Sequence, residues 1–110
     1  MQTSLTAVIE QANAYTGDFT TEPYEAAWAL EARWFVKLLE ISDRISIRLT
    51  PEISPDGLNW CEEGTTALLF TEPGLKSLGL TNFGGWLRLR VTFVGNEPGG
   101  KFLIYLALKG

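Results

Sequence analysis

The sequence predicts an all-β fold: a single antiparallel β-sandwich of jelly-roll character, with residues 1–110 as one domain. Three runs alternate apolar and polar residues with a period of two, as half-buried strands do. Clusters of Gly, Pro, Asn and Asp divide these runs, and the chain after residue 44 has no room for the helices that would connect parallel strands. With 45% hydrophobic and 20% charged residues, the composition is that of an ordinary globular domain.

The first half of the chain gives less consistent signals. Residues 10–23, EQANAYTGDFTTEP, predict a loop. Residues 25–42, EAAWALEARWFVKLLEIS, have the Ala, Leu, Glu and Lys content of a helix. In the same segment Trp34, Val36 and Leu38 alternate with more polar neighbours, as in a strand. An α+β fold with a helix at about 25–41 is therefore an open alternative at this point.

The second half contains the three alternating runs. They are RISIRLT (44–50), WLRLRVTFV (86–94) and KFLIYLALK (101–109). One face of the last run consists of Phe102, Ile104, Leu106 and Leu108. Its other face carries Leu103, Tyr105 and Ala107, which is less polar than a solvated strand needs. We therefore expect these three residues to form a contact surface.

The stretch ISPDGLNWCEEG, residues 53–64, is best interpreted as a tight turn between strands. Pro55 suits the second position of a type I turn, and Asp56 and Gly57 are residues that turns favour. Trp60 is then expected to enter the core on the next strand. Glu62 and Glu63 are adjacent, so on a strand they point to opposite faces and make a poor acid–base pair.

Two surfaces are candidates for binding. Arg88 and Arg90 share one face of a strand, where we expect them to meet acidic side chains of a neighbouring strand or subunit. A carbohydrate-binding module is the alternative function, with Trp86 as an exposed stacking platform beside Asn82 and Asn59.

Composition argues against several other functions. The chain has no histidine and one cysteine, which removes the common zinc sets and the nucleophile–histidine pairs, so we expect no enzyme, metal or cofactor. A net charge of −4 argues against nucleic acid as a partner. The longest apolar run, FLIYLAL, is too short to span a bilayer, and the opening MQTSLTAVIEQ lacks the pattern of a secretory signal. We expect a protein that is made in the cytoplasm and has no membrane partner.

Several motifs together resemble small β-sandwich proteins from phage and prophage structural gene sets. They are GDF at 17–19, SPDG-NW at 54–60, TNFGGWLRLRV at 81–91 and the closing P-G-FLIYLAL segment. The resemblance implies strands rather than a helix in residues 25–42. It also implies a non-catalytic virion or shell component that self-assembles or decorates a larger lattice, with itself or that lattice as its partner.

Overall fold

A computed structural model describes residues 3–110, and within that range the chain forms ten β-strands and no helix. The strands are β1 (Ser4–Tyr15), β2 (Phe19–Thr20), β3 (Tyr24–Glu25), β4 (Glu31–Ile41), β5 (Ser46–Ser54), β6 (Cys61–Glu62), β7 (Leu68–Phe70), β8 (Gly74–Thr81), β9 (Trp86–Val94) and β10 (Gly100–Lys109). Every strand pair is antiparallel.

The strands form a four-stranded sheet, in the order β1-β10-β4-β8, and a six-stranded sheet. In the six-stranded sheet β9 and β5 are central, β2 and β3 both pair with β9, and β6 and β7 both pair with β5. When β2 and β3 are counted as one strand position, and β6 and β7 as another, residues 3–110 form eight positions. The first position pairs with the eighth, the second with the seventh, the third with the sixth and the fourth with the fifth. This is the pairing of a hairpin rolled into two sheets, and it confirms the predicted antiparallel sandwich of jelly-roll character.

The structure decides both ambiguous segments. The helix at about 25–41 was wrong: β3 and β4 occupy this stretch, and Trp34, Val36 and Leu38 are buried on the inner side of β4. Burial of one alternating face thus outweighs the helix propensity of the composition. The loop at 10–23 was also wrong in part, because β1 continues to Tyr15 and β2 begins at Phe19.

The core lies between the two sheets. Its fully buried large side chains are Trp34, Val36, Leu38, Ile47, Leu49, Phe70, Leu87, Leu89, Phe102, Ile104, Leu106 and Leu108. The alternating runs supply most of this set, so the same periodicity that predicts the strands also fixes which face of each strand is buried.

The first strand is irregular in its second half. The register between β1 and β10 shifts at Ile9 and again at Ala12, which has a positive φ of 57°. Such bulges bend a strand and interrupt its pairing edge. The ladder from Ser4 to Val8 is regular.

Candidate functional site

The outer face of the four-stranded sheet contains the predicted contact residues of the last strand. Side chains alternate along β10, and one face, made of Phe102, Ile104, Leu106 and Leu108, points into the core. The other face therefore points outward, and its residues Leu103, Tyr105 and Ala107 are half-buried. β10 lies between β1 and β4, so these residues occupy the middle of the sheet.

Strand register extends this surface across the sheet. Tyr105 lies opposite Val8 on β1 and opposite Phe35 on β4, which makes a continuous row of three apolar side chains. We call Val8, Tyr105 and Phe35 the outer apolar row. Val8 is 54% exposed, whereas Tyr105 and Phe35 are half-buried by their neighbours in the sheet.

Polar and charged residues border the outer apolar row. Gln11 and Lys37 flank Leu103 on one side of the row, and Thr6 and Arg33 flank Ala107 on the other. An apolar centre with a polar rim is the usual anatomy of a protein–protein contact.

A shallow depression of about 450 Å³ adjoins the row and is lined by residues that include Arg33, Phe35, Gly79 and Ala107. The Arg33 guanidinium lies across Gly79, since a Cβ added there would come within 2.8 Å of Arg33 Nη2, while Nη1 donates to Ser77 Oγ at 3.0 Å. Because Gly79 has no side chain, the Arg33 side chain can lie flat on the sheet.

The two predicted arginines lie on the opposite face of the molecule, on the outer side of the six-stranded sheet. Arg88 Nε donates to Glu52 Oε1 at 2.7 Å, and Arg90 Nη1 lies 3.2 Å from Glu52 Oε2. Arg90 Nη2 also reaches Glu62 Oε2 at 3.3 Å. The expected acidic partners are thus glutamates of neighbouring strands, and the two sets of contact candidates cannot belong to one continuous surface.

Trp60 completes this cluster. The Arg88 guanidinium lies over the Trp60 ring, 4.2 Å from its centre, and Glu52 is only 5% exposed. The expectation that Trp60 enters the core was wrong: the residue is half-buried ahead of β6 and packs on the outer side of the sheet. The turn at residues 54–59 reverses the chain before Trp60, so the Trp60 ring packs on Arg88 and does not enter the core.

Residues 54–59 form a tight turn whose hydrogen bonds converge on two side chains. Ser54 Oγ accepts from the backbone N–H groups of Asp56 and Gly57 at 3.2 and 2.8 Å. Asp56 Oδ1 accepts from the backbone N–H groups of Leu58 and Asn59, both at 2.9 Å, and Oδ2 accepts from Asn59 Nδ2 at 2.8 Å. These bonds hold the pKa of the Asp56 carboxyl well below its usual range.

The residues named for sugar binding lie at one end of the sandwich. Trp86 is half-buried with one indole face against Gly57, and a Cβ added at Gly57 would lie 3.2 Å from the ring. The most exposed tryptophan is Trp28 at 41%, not Trp86 as expected. Asn59 and Asn82 are exposed, and Asn59 is bonded to Asp56. Carbohydrate binding at Trp86 stays a prediction.

One polar cluster was not foreseen from the sequence. Glu10 is buried on the inner side of β1, where it accepts hydrogen bonds from Tyr15 Oη at 2.8 Å and Asn13 Nδ2 at 2.7 Å. Burial and the Glu10 carboxylate raise the pKa of Tyr15 to about 12. Tyr15 stacks on Phe19 with ring centres 3.6 Å apart. The bulge at Ala12 brings these side chains together, and no residue pattern marks such a bulge.

Within residues 3–110, no three Cys, Asp or Glu side chains are grouped closely enough to hold a metal ion. The same range has no helix of the length and apolarity that crossing a membrane requires. Cys61 is a free, exposed thiol on β6.

The fold belongs to the jelly-roll class of β-sandwiches, and solved structures of that fold match the chain. No protein-family model matches it, and neither does any curated protein. The PBSX exported protein XepA matches with a TM-score of 0.59 and 17% identity, over 98% of this chain and 36% of XepA. The VP2 subviral particle of infectious bursal disease virus gives a TM-score of 0.68 at 11% identity, over 98% of this chain and 32% of VP2.

The SPBc2 prophage-derived protein YomS matches over 100% of this chain and 96% of its own length, with a TM-score of 0.58 and 7% identity. The chain thus spans about a third of XepA and of VP2 but nearly all of YomS. At these identities the likeness concerns the fold. It confirms the resemblance to β-sandwich proteins of phage and prophage origin that the sequence motifs indicated.

Proposed function

We propose that the chain is a non-catalytic structural protein, a virion- or shell-type component that self-assembles or decorates a larger lattice through the outer face of its four-stranded sheet. The outer apolar row carries this proposal: it crosses the centre of a sheet face from an exposed edge residue, Val8, to Phe35.

The charges of the molecule favour this face over the opposite one. On the six-stranded sheet, Arg88 and Arg90 are paired with Glu52 and Glu62 within the chain. A partner that used these arginines would have to compete with ion pairs already made, one of whose members is buried. On the four-stranded sheet a partner would cover apolar side chains, which is favourable without any such competition.

The fold comparison agrees with a structural role. The similar structures include a viral subviral particle and a prophage-derived protein of about the same length as this chain. A jelly-roll sandwich presents broad, rigid sheet faces, and rigid faces lose little conformational freedom when they meet a partner.

Light scattering during size-exclusion chromatography, with negative-stain images of the same fractions, tests the proposal. We expect a mass that rises with protein concentration, or a discrete oligomer, ring or shell. A monomer at every concentration up to the solubility limit would contradict self-assembly.

A further inference from the structure

The four sheet edges of the sandwich are protected to different degrees. An edge strand presents unpaired backbone N–H and C=O groups, and natural sheets shield them with short strands, lysines, prolines, bulges or inward-pointing charges. β2, β3 and β6 have two residues each, and β7 has three. On the β8 edge, Lys76 Nζ donates to the backbone carbonyl of Leu69 on β7, which places a lysine along that edge.

The Ser4–Val8 segment of β1 has none of these devices. Its five residues, SLTAV, pair in regular register with β10 and include no charge, no proline and no bulge. The bulges begin only at Ile9, and the first charged residue of the chain is Glu10. Among residues 3–110, only β10 pairs with this strand.

The side chains of this segment are also incompletely covered. Leu5 lies opposite the core residue Leu108, so it points toward the inside of the sandwich, yet it is 43% exposed. Val8, on the outer side, is 54% exposed and ends the outer apolar row at this edge. Apolar surface is therefore open on both sides of an unprotected strand.

We infer that the Ser4–Val8 edge pairs antiparallel with the same edge of a second copy of this chain, joining two four-stranded sheets into one continuous sheet of eight strands. The inference rests on the proposed function and specifies how two copies meet. A second copy fits this edge because its segment is equally uncharged, so self-pairing opposes no like charges.

The two-fold symmetry of such a pair fixes its register. All five residues pair only when Thr6 lies opposite Thr6 of the partner copy, which puts Leu5 opposite Ala7 and Ser4 opposite Val8. Leu5 is then covered by the partner's strand on the inner side. The two outer faces lie on the same side of the joined sheet, and the outer apolar row of each copy ends opposite Ser4 of the partner copy.

Cysteine cross-linking tests the register. In a Cys61→Ser background, each residue from Ser4 to Val8 is changed singly to cysteine and the protein is oxidised mildly. Opposed residues in an antiparallel pair have Cα atoms about 4.5 to 5.5 Å apart, within the range that a disulfide bridges. We expect Thr6→Cys to give the fastest formation of covalent dimers, and Val94→Cys, at an exposed valine of the six-stranded sheet, to give none.

A second variant tests the edge without cysteine. Leu5→Lys places a charge pointing inward at the edge, which natural sheets use to prevent pairing, and we expect it to raise the dimer dissociation constant at least about tenfold. Leu69→Lys, at a leucine that is 50% exposed on the edge strand β7, is the matched control and should leave the constant unchanged. Circular dichroism of both variants verifies that they fold.

The outcomes separate the inference from the proposed function. An oligomer by light scattering that gives no disulfide at positions 4–8 and is unaffected by Leu5→Lys overturns the edge pairing and leaves the proposed assembly standing. Cross-linking as strong at Val94→Cys as at Thr6→Cys also overturns it. A monomer throughout overturns both the edge pairing and self-assembly, and leaves only the decoration of a larger lattice as the proposed function.

Discussion

Asp56 shows how one carboxylate can define a turn. The Asp56 carboxylate accepts hydrogen bonds from the backbone N–H groups of Leu58 and Asn59, from the Asn59 side-chain amide and from the Ser54 hydroxyl. These hydrogen bonds lower the pKa of Asp56. A carboxyl group with a lowered pKa stabilises the folded state above its unfolded pKa of about 3.9, and this stabilisation is lost as the pH falls toward the folded value.

We therefore expect Asp56→Ala to destabilise the protein at neutral pH, and the difference from the unchanged protein to shrink as the pH falls below about 4. Urea unfolding at a series of pH values measures it. Asp43→Ala, at an exposed aspartate in another turn, is the control. A difference between Asp56→Ala and the unchanged protein that stays constant down to the acid limit would rule out this role for the charge.

Glu52 is the central residue of the arginine cluster. It is buried and contacts both Arg88 and Arg90, whereas the Arg90 side chain is 44% exposed. We expect Glu52→Gln to cost about 1–3 kcal/mol, because it weakens hydrogen bonds to charged groups in a covered site. Arg90→Ala should cost less than about 1 kcal/mol, as exposed ion pairs do. Equal costs in denaturant unfolding would show that burial of Glu52 is irrelevant to the cluster.

At the scale of single elements, the turn after β5 has a conformation that requires glycine. Gly57 has a φ of +79°, and any side chain there would press on the Trp86 ring. We expect Gly57→Ala to cost about 1–3 kcal/mol in free energy of unfolding, since the backbone strain and the contact with the ring act together.

Gly17 is the matched control for this substitution. A Cβ added there has no heavy atom within 4 Å. Gly17→Ala should leave the stability unchanged or raise it by up to about 1 kcal/mol, because it restricts the unfolded chain. If both alanine variants unfold at the same denaturant concentration, the φ argument for Gly57 fails.

The strands that the sequence predicts well are those in which one face is fully buried. β9 and β10 follow their alternating runs almost residue for residue, because burial of every second side chain leaves a regular pattern. In β4 the alternation at Trp34–Leu38 was equally informative, but the helix-favouring residues around it obscured it. β1 could not be predicted from pattern, because it is an edge strand with mostly exposed residues and two bulges.

At the scale of the whole molecule, the sequence locates surface residues but not the sheet to which they belong. The alternation correctly placed Leu103, Tyr105 and Ala107 on one face of a strand, and Arg88 and Arg90 on one face of another. Only the topology assigns these strands to different sheets, with outer faces on opposite sides of the sandwich. Phe35 and Val8 join the proposed contact surface through strand register, which depends on long-range pairing.

If the outer apolar row mediates assembly, as proposed, a charge placed within the row should prevent assembly and a charge placed elsewhere should not. Tyr105→Lys places a charge in the middle of the outer apolar row. Val94→Lys places the same charge at an exposed valine of the six-stranded sheet. Light scattering of both variants and the unchanged protein, at matched concentrations, gives the answer. We expect Tyr105→Lys to lower the mass below that of the unchanged protein and Val94→Lys to retain the mass of the unchanged protein. Unchanged assembly in Tyr105→Lys, or equal loss in both variants, would contradict it.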